Sequence, residues 1–203
     1  MTDDAIYGWY NDDYGGLFSG GGFYNEGRAF RSGSMDPMYG VLSAMGNNPD
    51  AALKYLAGSG STDPEGNWQP DSTITDRWKF LKSRTWDPDV GLDGLTAAVA
   101  GVSSKRVQSQ DATDERAAWA TEQGVEHFAG LSEKSFSSTA KNNVALTLGN
   151  SMTELEQVAD GVKDSSGARP TAWSKGAPAS LPGYSSSDLS RLVSVVGTDD
   201  AAL

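Results

Sequence analysis

PMYGVLSAMGNNPDAALKYL, residues Pro37 to Leu56, is the stretch that decides the fold. Apolar side chains at Met38, Val41, Leu42 and Met45 recur at i, i+3, i+4 and i+7, the period of a helix with one buried face. Gly46-Asn47-Asn48 interrupts that period. Asn48 is a favourable N-cap, and Pro49 suits the first helical position because its missing N–H would be unbonded there anyway. Two short amphipathic helices hinged at 46–48 are therefore expected.

The helical period continues downstream. Ile74, Trp78 and Leu81 mark a third helix with Thr75 as its cap, and Leu92, Leu95, Val99 and Val102 a fourth. Ala118, Thr121, Val125 and Phe128 share one face of a longer fifth helix from about Thr113 to Ala129. Ala140, Val144 and Leu148 give a sixth. Met152, Leu155, Ala159 and Val162 give a seventh after Gly149-Asn150. Leu189, Leu192, Val193 and Val196 give an eighth, capped by Ser186 or Ser187. No alternating strand pattern stands out. The expected fold is all-α, an irregular bundle of about eight short helices. Leu53, Leu81, Leu95, Val99, Leu155 and Leu192 centre the apolar stripes and are expected in the core.

Two connections, Gly58–Thr73 and Asp164–Ser185, are rich in turn formers and carry Trp68 and Trp173. An indole folded back into the core is the expected use of each. Residues 1–34 differ from the rest. They hold eight glycines and eight of the 19 aromatic residues and carry no period. They form either an arm docked on a domain or a flexible, adhesive linker. In the first case Trp9, Tyr10, Phe18 and Phe23 are the candidate partner-binding residues. The division is thus an arm over 1–34 and a helical domain over 35–203. VGTDDAAL ends just past the last helix with no evident cap beyond Gly197, and a helical domain that continues past Leu203 is one expectation.

Sixteen basic residues against 27 acidic ones give a net charge of −11. Scattered cations in such excess of acid argue against nucleic acid and against an anionic membrane surface. No run approaches the roughly 18 apolar residues of a spanning helix, so no membrane insertion is expected. The acidic start lacks the features of a cleaved signal. The expected location is the cytoplasm, or outside the cell by a route that uses no such signal. With no cysteine in 203 residues, disulfides, thiolate metal sites and a cysteine nucleophile are excluded.

The candidates for chemistry are few. His127 is the only histidine, and no G-x-S-x-G accompanies it, so it reads as a helix-surface or core-edge residue. Glu115, Glu122 and Glu126 lie on one helix, where like charges mark a solvated face sooner than an acid–base pair across a cleft. Asp87-Pro-Asp-Val-Gly-Leu-Asp93 has calcium-loop oxygens, but its glycine falls at position five and Ala98 at position twelve. It reads as a helix entrance, with acids at the positive end. Gly20-Gly-Gly22 lacks the Lys-Ser/Thr of a phosphate loop. No cofactor, metal site or catalytic residue is implied.

Asn47-Asn-Pro-Asp-Ala-Ala-Leu53, Asp76-Arg-Trp-Lys-Phe-Leu81 with Thr85-Trp86, Gly94-Leu-Thr-Ala-Ala98 and Gly124-Val-Glu-His-Phe-Ala-Gly130 occur in this order. Together with the helix from Met152 to Val162, they resemble an actinobacterial helical family of unknown function, over roughly residues 35–203. Members of that family often follow a WXG-like region in large proteins associated with type VII secretion or polymorphic toxins. Here no W-x-G turn is present. Tyr184-x-x-x-Asp188 has the spacing of a type VII export signal but precedes a helix instead of following a hairpin, and it reads as coincidence. The resemblance brings no catalytic residues. It implies a non-catalytic helical scaffold or adaptor of a secreted effector, with a protein partner or self-assembly. The alternative is an acidic inhibitor or immunity protein that neutralises a basic partner; a carboxylate hydrolase stands third.

Overall fold

Helix α1 (Pro37–Gly46) starts where the Asp36 carboxylate accepts from the Met38 N–H at 2.9 Å, and it stops at Asn47. The computed structural model describes residues 36–64, 68–86, 91–107, 112–159 and 185–197. Helix α2 (Pro49–Ala57) follows, with the Asn48 side chain accepting from the Ala51 N–H at 3.1 Å as its sequence predicts. Strands β1 (Gly60–Thr62) and β2 (Trp68–Pro70) lead to α3 (Ser72–Ser83). Then come α4 (Asp93–Ser103), which tightens into a 3₁₀ turn over Ser104–Val107, and α5 (Ala112–Ala129). A second 3₁₀ turn (Glu133–Ser135) precedes α6 (Ser138–Gly149), α7 (Met152–Ala159) and α8 (Ser186–Gly197). The fold is all-α, with eight α-helices among the described residues.

Helix α4 is the centre. Ten of its eleven residues are buried, and it packs against α1, α2, α5 and α6. A helix enclosed on all sides needs small side chains where neighbouring backbones cross it, and DGLTAAVAGVS supplies them. Tyr39 and Leu42 of α1 lie over Gly94, and Met45 and Gly46 lie over Gly101, so the two helices run parallel. A Cβ at Gly94 would stand 2.9 Å from the Tyr39 carbonyl oxygen, and one at Gly46 would stand 2.8 Å from the Ala97 Cβ. On another face, a Cβ at Gly124 of α5 would meet a methyl of Val99 at 2.7 Å. Gly91, at φ 38°, makes the turn into α4 in a region that disfavours other residues. The apolar stripes of α3, α4, α5 and α6 all lie inside: Ile74, Trp78, Leu81, Leu92, Leu95, Val99, Val102, Ala118, Val125, Phe128, Ala140, Val144 and Leu148 are buried.

Several local expectations are corrected. Gly58–Thr73 holds a two-stranded antiparallel hairpin, Gly60 opposite Pro70 and Thr62 opposite Trp68, whose three-residue strands are too short to show alternation. Trp68 is buried as expected, edge-on to Trp119 at 5.1 Å, and Trp119 in turn meets Trp78 at 6.2 Å. Asp71, not Thr75, caps α3: its carboxylate accepts from the Ile74 N–H at 2.9 Å, while the Thr75 hydroxyl donates back to the Asp71 carbonyl. Ser185 caps α8, its hydroxyl accepting from the Asp188 N–H at 3.1 Å and donating to the Asp188 carboxylate.

Leu155 is only half-buried, because α7 turns Glu154 inward to meet Arg106. Val41 and Val193 are each 49% exposed. The rest of the expected α1 stripe, Met38, Leu42 and Met45, packs on the core, with the Tyr39 backbone and Gly46 against α4, and on α8 Val195 is buried beside Leu189 and Leu192 while Val196 is partly buried. The arm over 1–34, Trp173, Tyr184 and Val162 lie outside the described residues.

Two glycines of α1 separate helix propensity from close packing. Gly40 has open space around its Cα, so Gly40→Ala is expected to stabilise the protein by up to about 1 kcal/mol. Gly46→Ala gains the same propensity but drives a methyl into Ala97, and a net loss of about 1–3 kcal/mol is expected. Urea titration of both variants checks the opposite signs.

Candidate functional site

Most of the polar side chains that the fold draws inward gather at two places. The first lies where α3 ends beside the start of α1. Arg84 follows α3 in extended conformation, at φ −67° and ψ 136°. Two residues apart on extended chain share a side, so Arg84 and Trp86 project together. The Arg84 guanidinium carbon stands 5.0 Å from the Trp86 ring centre. Nη2 of Arg84 donates to Oδ2 of Asp36 at 2.6 Å in an ion pair whose side chains are 2% and 3% exposed. The other Asp36 oxygen is the α1 cap. One carboxylate thus fixes both the helix start and the buried cation.

Nε and Nη1 of Arg84 and Nε1 of Trp86 are buried and have no hydrogen-bond acceptor among the described residues. Beside them, Arg77 stacks on Tyr55, 4.4 Å from guanidinium carbon to ring centre, and donates to the Tyr55 carbonyl near the end of α2. The Trp78 indole N–H donates to the Leu56 carbonyl at 2.9 Å, so α3 side chains satisfy the last carbonyls of α2. Burial raises the Tyr55 phenol above its ordinary pKa, partly offset by Arg77 and Arg84.

The second place is the seam between α4 and α6. Ser137 caps α6 by accepting from the Ala140 N–H and donates to the Asp93 carboxylate. Burial nonetheless raises the Asp93 pKa, the Ser137 bond opposing it. The Asn143 amide donates to the Asp93 carbonyl and to Thr96, both at 3.2 Å, and the Asn150 amide donates to Ser103 at 2.8 Å. Beyond it, fully buried Arg106 donates to the Asn150 carbonyl and the Ser151 hydroxyl, each at 3.0 Å, and pairs with Glu154. Apart from the Ser137 cap, which is α6's own, each of these bonds joins one element to another.

His127 sits at the core edge, as read from the sequence, with Nε2 buried and lacking a partner among the described residues. Its burial, with a smaller push from the Lys82 charge, lowers its pKa to about 4, against an opposing pull from Glu126. Glu126 is exposed and pairs with Lys82 at 2.7 Å, tying α3 to α5. Glu115 and Glu122 are partly buried on α5, and Glu126 is exposed on the same helix. Asp93 opens α4 as a helix entrance should, while residues 87–90 lie outside the described set. Trp9, Tyr10, Phe18 and Phe23 lie outside it as well. Among the described residues no group of three His, Cys, Asp or Glu is placed to hold a metal ion, and no helix is long and apolar enough to cross a membrane.

Sequence reasoning passed over Arg84, Trp86, Asp36 and the Arg106–Glu154 pair. Arginine and tryptophan two apart just past a helix end were the one local signal for the first group. Nothing local announces that Arg106 and Glu154 meet.

An all-α domain assembled round one enclosed helix, with its buried charges spent on joining elements, is the class these features define. The chain belongs to the family of unknown function DUF6571, which it matches over residues 22–203. No curated protein and no solved structure matches it. The family match begins inside the glycine- and aromatic-rich arm, so Phe23 falls within it and Trp9, Tyr10 and Phe18 precede it.

His127 gives a pH dependence with a defined sign. Its pKa falls from the ordinary 6.5 to about 4 on folding, so between those values the unfolded chain binds more protons at this site. Its contribution to stability is present above 6.5 and is lost as pH falls towards 4. Urea titrations of the wild type and His127→Gln near neutrality and near pH 4.5 should show a smaller acid loss in the variant. Equal losses would contradict the neutral, buried state of the imidazole.

Proposed function

We propose that this chain is a non-catalytic helical scaffold or adaptor module that acts by binding another protein or another copy of itself. The observation that carries the reading is the use of the interior charges. Asp36 and Arg84 join α1 to the end of α3, Asp93 and Ser137 join α4 to α6, and Arg106 and Glu154 join the 3₁₀ turn to α7. Side chains so committed specify a rigid shape, and a rigid shape suits presentation of a surface. Contact area for a partner is supplied by the aromatic arm, with Trp9, Tyr10, Phe18 and Phe23 as anchors of the kind that dominate interfaces. Its place in a secreted effector or toxin-associated protein rests on the sequence resemblance.

A second reading is favoured by charge. Asp50, Asp76, Glu126 and Glu133 have side chains between 53% and 81% exposed, on a chain of net −11. Such a surface suits neutralisation of a basic partner, whose association would weaken steeply with added salt.

Removing residues 1–34 tests the first reading. The truncated protein is expected to keep its helical circular dichroism while losing particle mass by light scattering, melting temperature, or both. Unchanged mass and unchanged melting temperature would make the arm a linker and remove the proposed anchors.

A further inference from the structure

The corner formed by Arg84 and Trp86 holds more hydrogen-bond donors than the described residues satisfy. Arg84 is nine-tenths buried, yet only one of its three nitrogens reaches a carboxylate oxygen among those residues. The indole N–H beside it is equally without an acceptor there. Burying such donors unbonded costs roughly 1–3 kcal/mol each, and more on a charged group. Folding has placed three of them within one stacked pair of side chains.

The corner is close to the surface. Ser83 and Thr85, which flank Arg84, are exposed, and the Trp86 ring is only partly covered. The three donor atoms are themselves covered, so an acceptor reaches them by displacing side chains at this partly covered edge. Charge selects its type. Among the described residues, Arg84 and Arg77 carry two positive charges beside the one negative charge of Asp36, and both arginines act on the Tyr55 phenol. One further negative charge balances the group, whereas a phosphate dianion would leave an uncompensated charge in a nearly dry place. Carboxylate oxygens also match guanidinium and indole donors in strength, because such charge-assisted bonds are the strong ones.

We propose that the Arg84–Trp86 corner is a binding site for a small monocarboxylate, which accepts from the free Arg84 nitrogens and from the Trp86 indole N–H. Asp36 positions the guanidinium, and Arg77, stacked on Tyr55, adds attraction. This inference is independent of the scaffold reading.

Side-chain ¹H–¹⁵N spectra of the full chain test it directly, because the Arg84 Nε–H and Trp86 Nε1–H resonances report on the donors themselves. Sodium acetate is titrated against sodium chloride at constant ionic strength and pH. Both resonances are expected to move along one saturating curve with acetate and to stay still with chloride. Trp86→Phe, checked by circular dichroism for retained fold, should weaken acetate binding by about tenfold or more, the value of one hydrogen bond to a charged group. No shift beyond the chloride control, a shift that never saturates, or unchanged affinity in Trp86→Phe would each overturn the proposal. A saturating response to inorganic phosphate without one to acetate would overturn the assignment to carboxylates.

Discussion

The close approach of α1 and α5 to α4 is the constraint on which the rest of the structure depends. A helix enclosed on every side has no solvent face to carry large polar residues and no room for large apolar ones. Gly94 and Gly101 on α4, with Gly46 and Gly124 on its neighbours, remove the side chains that would hold the backbones apart. Leu95, Val99 and Val102 then fill the remaining space from the same helix. The outer elements are arranged by what this core leaves uncovered: Arg77 and Trp78 of α3 cap the last carbonyls of α2, and the tryptophans at 68, 119 and 78 carry the hairpin onto α5.

The polar contacts add register to that packing. Small residues allow a helix to slide and rotate, since one methyl resembles the next. Asn143 and Asn150 fix α6 along α4 because each amide has partners at only one setting, Asp93 with Thr96 and Ser103 respectively. Arg106 extends the same logic past the end of α6, where the Asn150 carbonyl, Ser151 and Glu154 converge on its guanidinium. Buried charges are weak sources of net stability, but a misplaced one is costly. Their effect here is to make alternative arrangements worse. The Arg84–Trp86 corner departs from this pattern, since its donors exceed its acceptors among the described residues.

Much of the fold was legible because helix periodicity is a local property. The faces of α3, α4, α5 and α6 were read correctly from apolar spacing, as was the Asn48-Pro49 start of α2. What failed was set by contacts distant in sequence. Val41 and Val193 satisfy the period yet stay exposed at the edge of stripes whose other members, Met38, Leu42 and Met45 on α1 and Leu189, Leu192 and Val196 on α8, pack on the core, and Leu155 yields the interior to a glutamate that answers an arginine in the turn after α4. The caps at Asp71 and Ser185 lay within reach of local reasoning, since each is followed three residues later by the group it bonds. The three-residue strands gave no alternation to read. The candidate site was the least visible part, because Asp36 and Arg84 become neighbours only after the chain has made three helices and a hairpin.

Native-state hydrogen exchange tests the central claim most directly. If α4 is the element on which the others are assembled, its amides can exchange only when the whole domain unfolds. Their opening free energy should equal the global unfolding free energy and follow the same denaturant dependence. The amides of α7, which packs chiefly on the end of α6, should open at lower cost. Exchange from Leu95, Val99 or Val102 that is faster than global unfolding, or no slower than exchange from α7, would contradict the account.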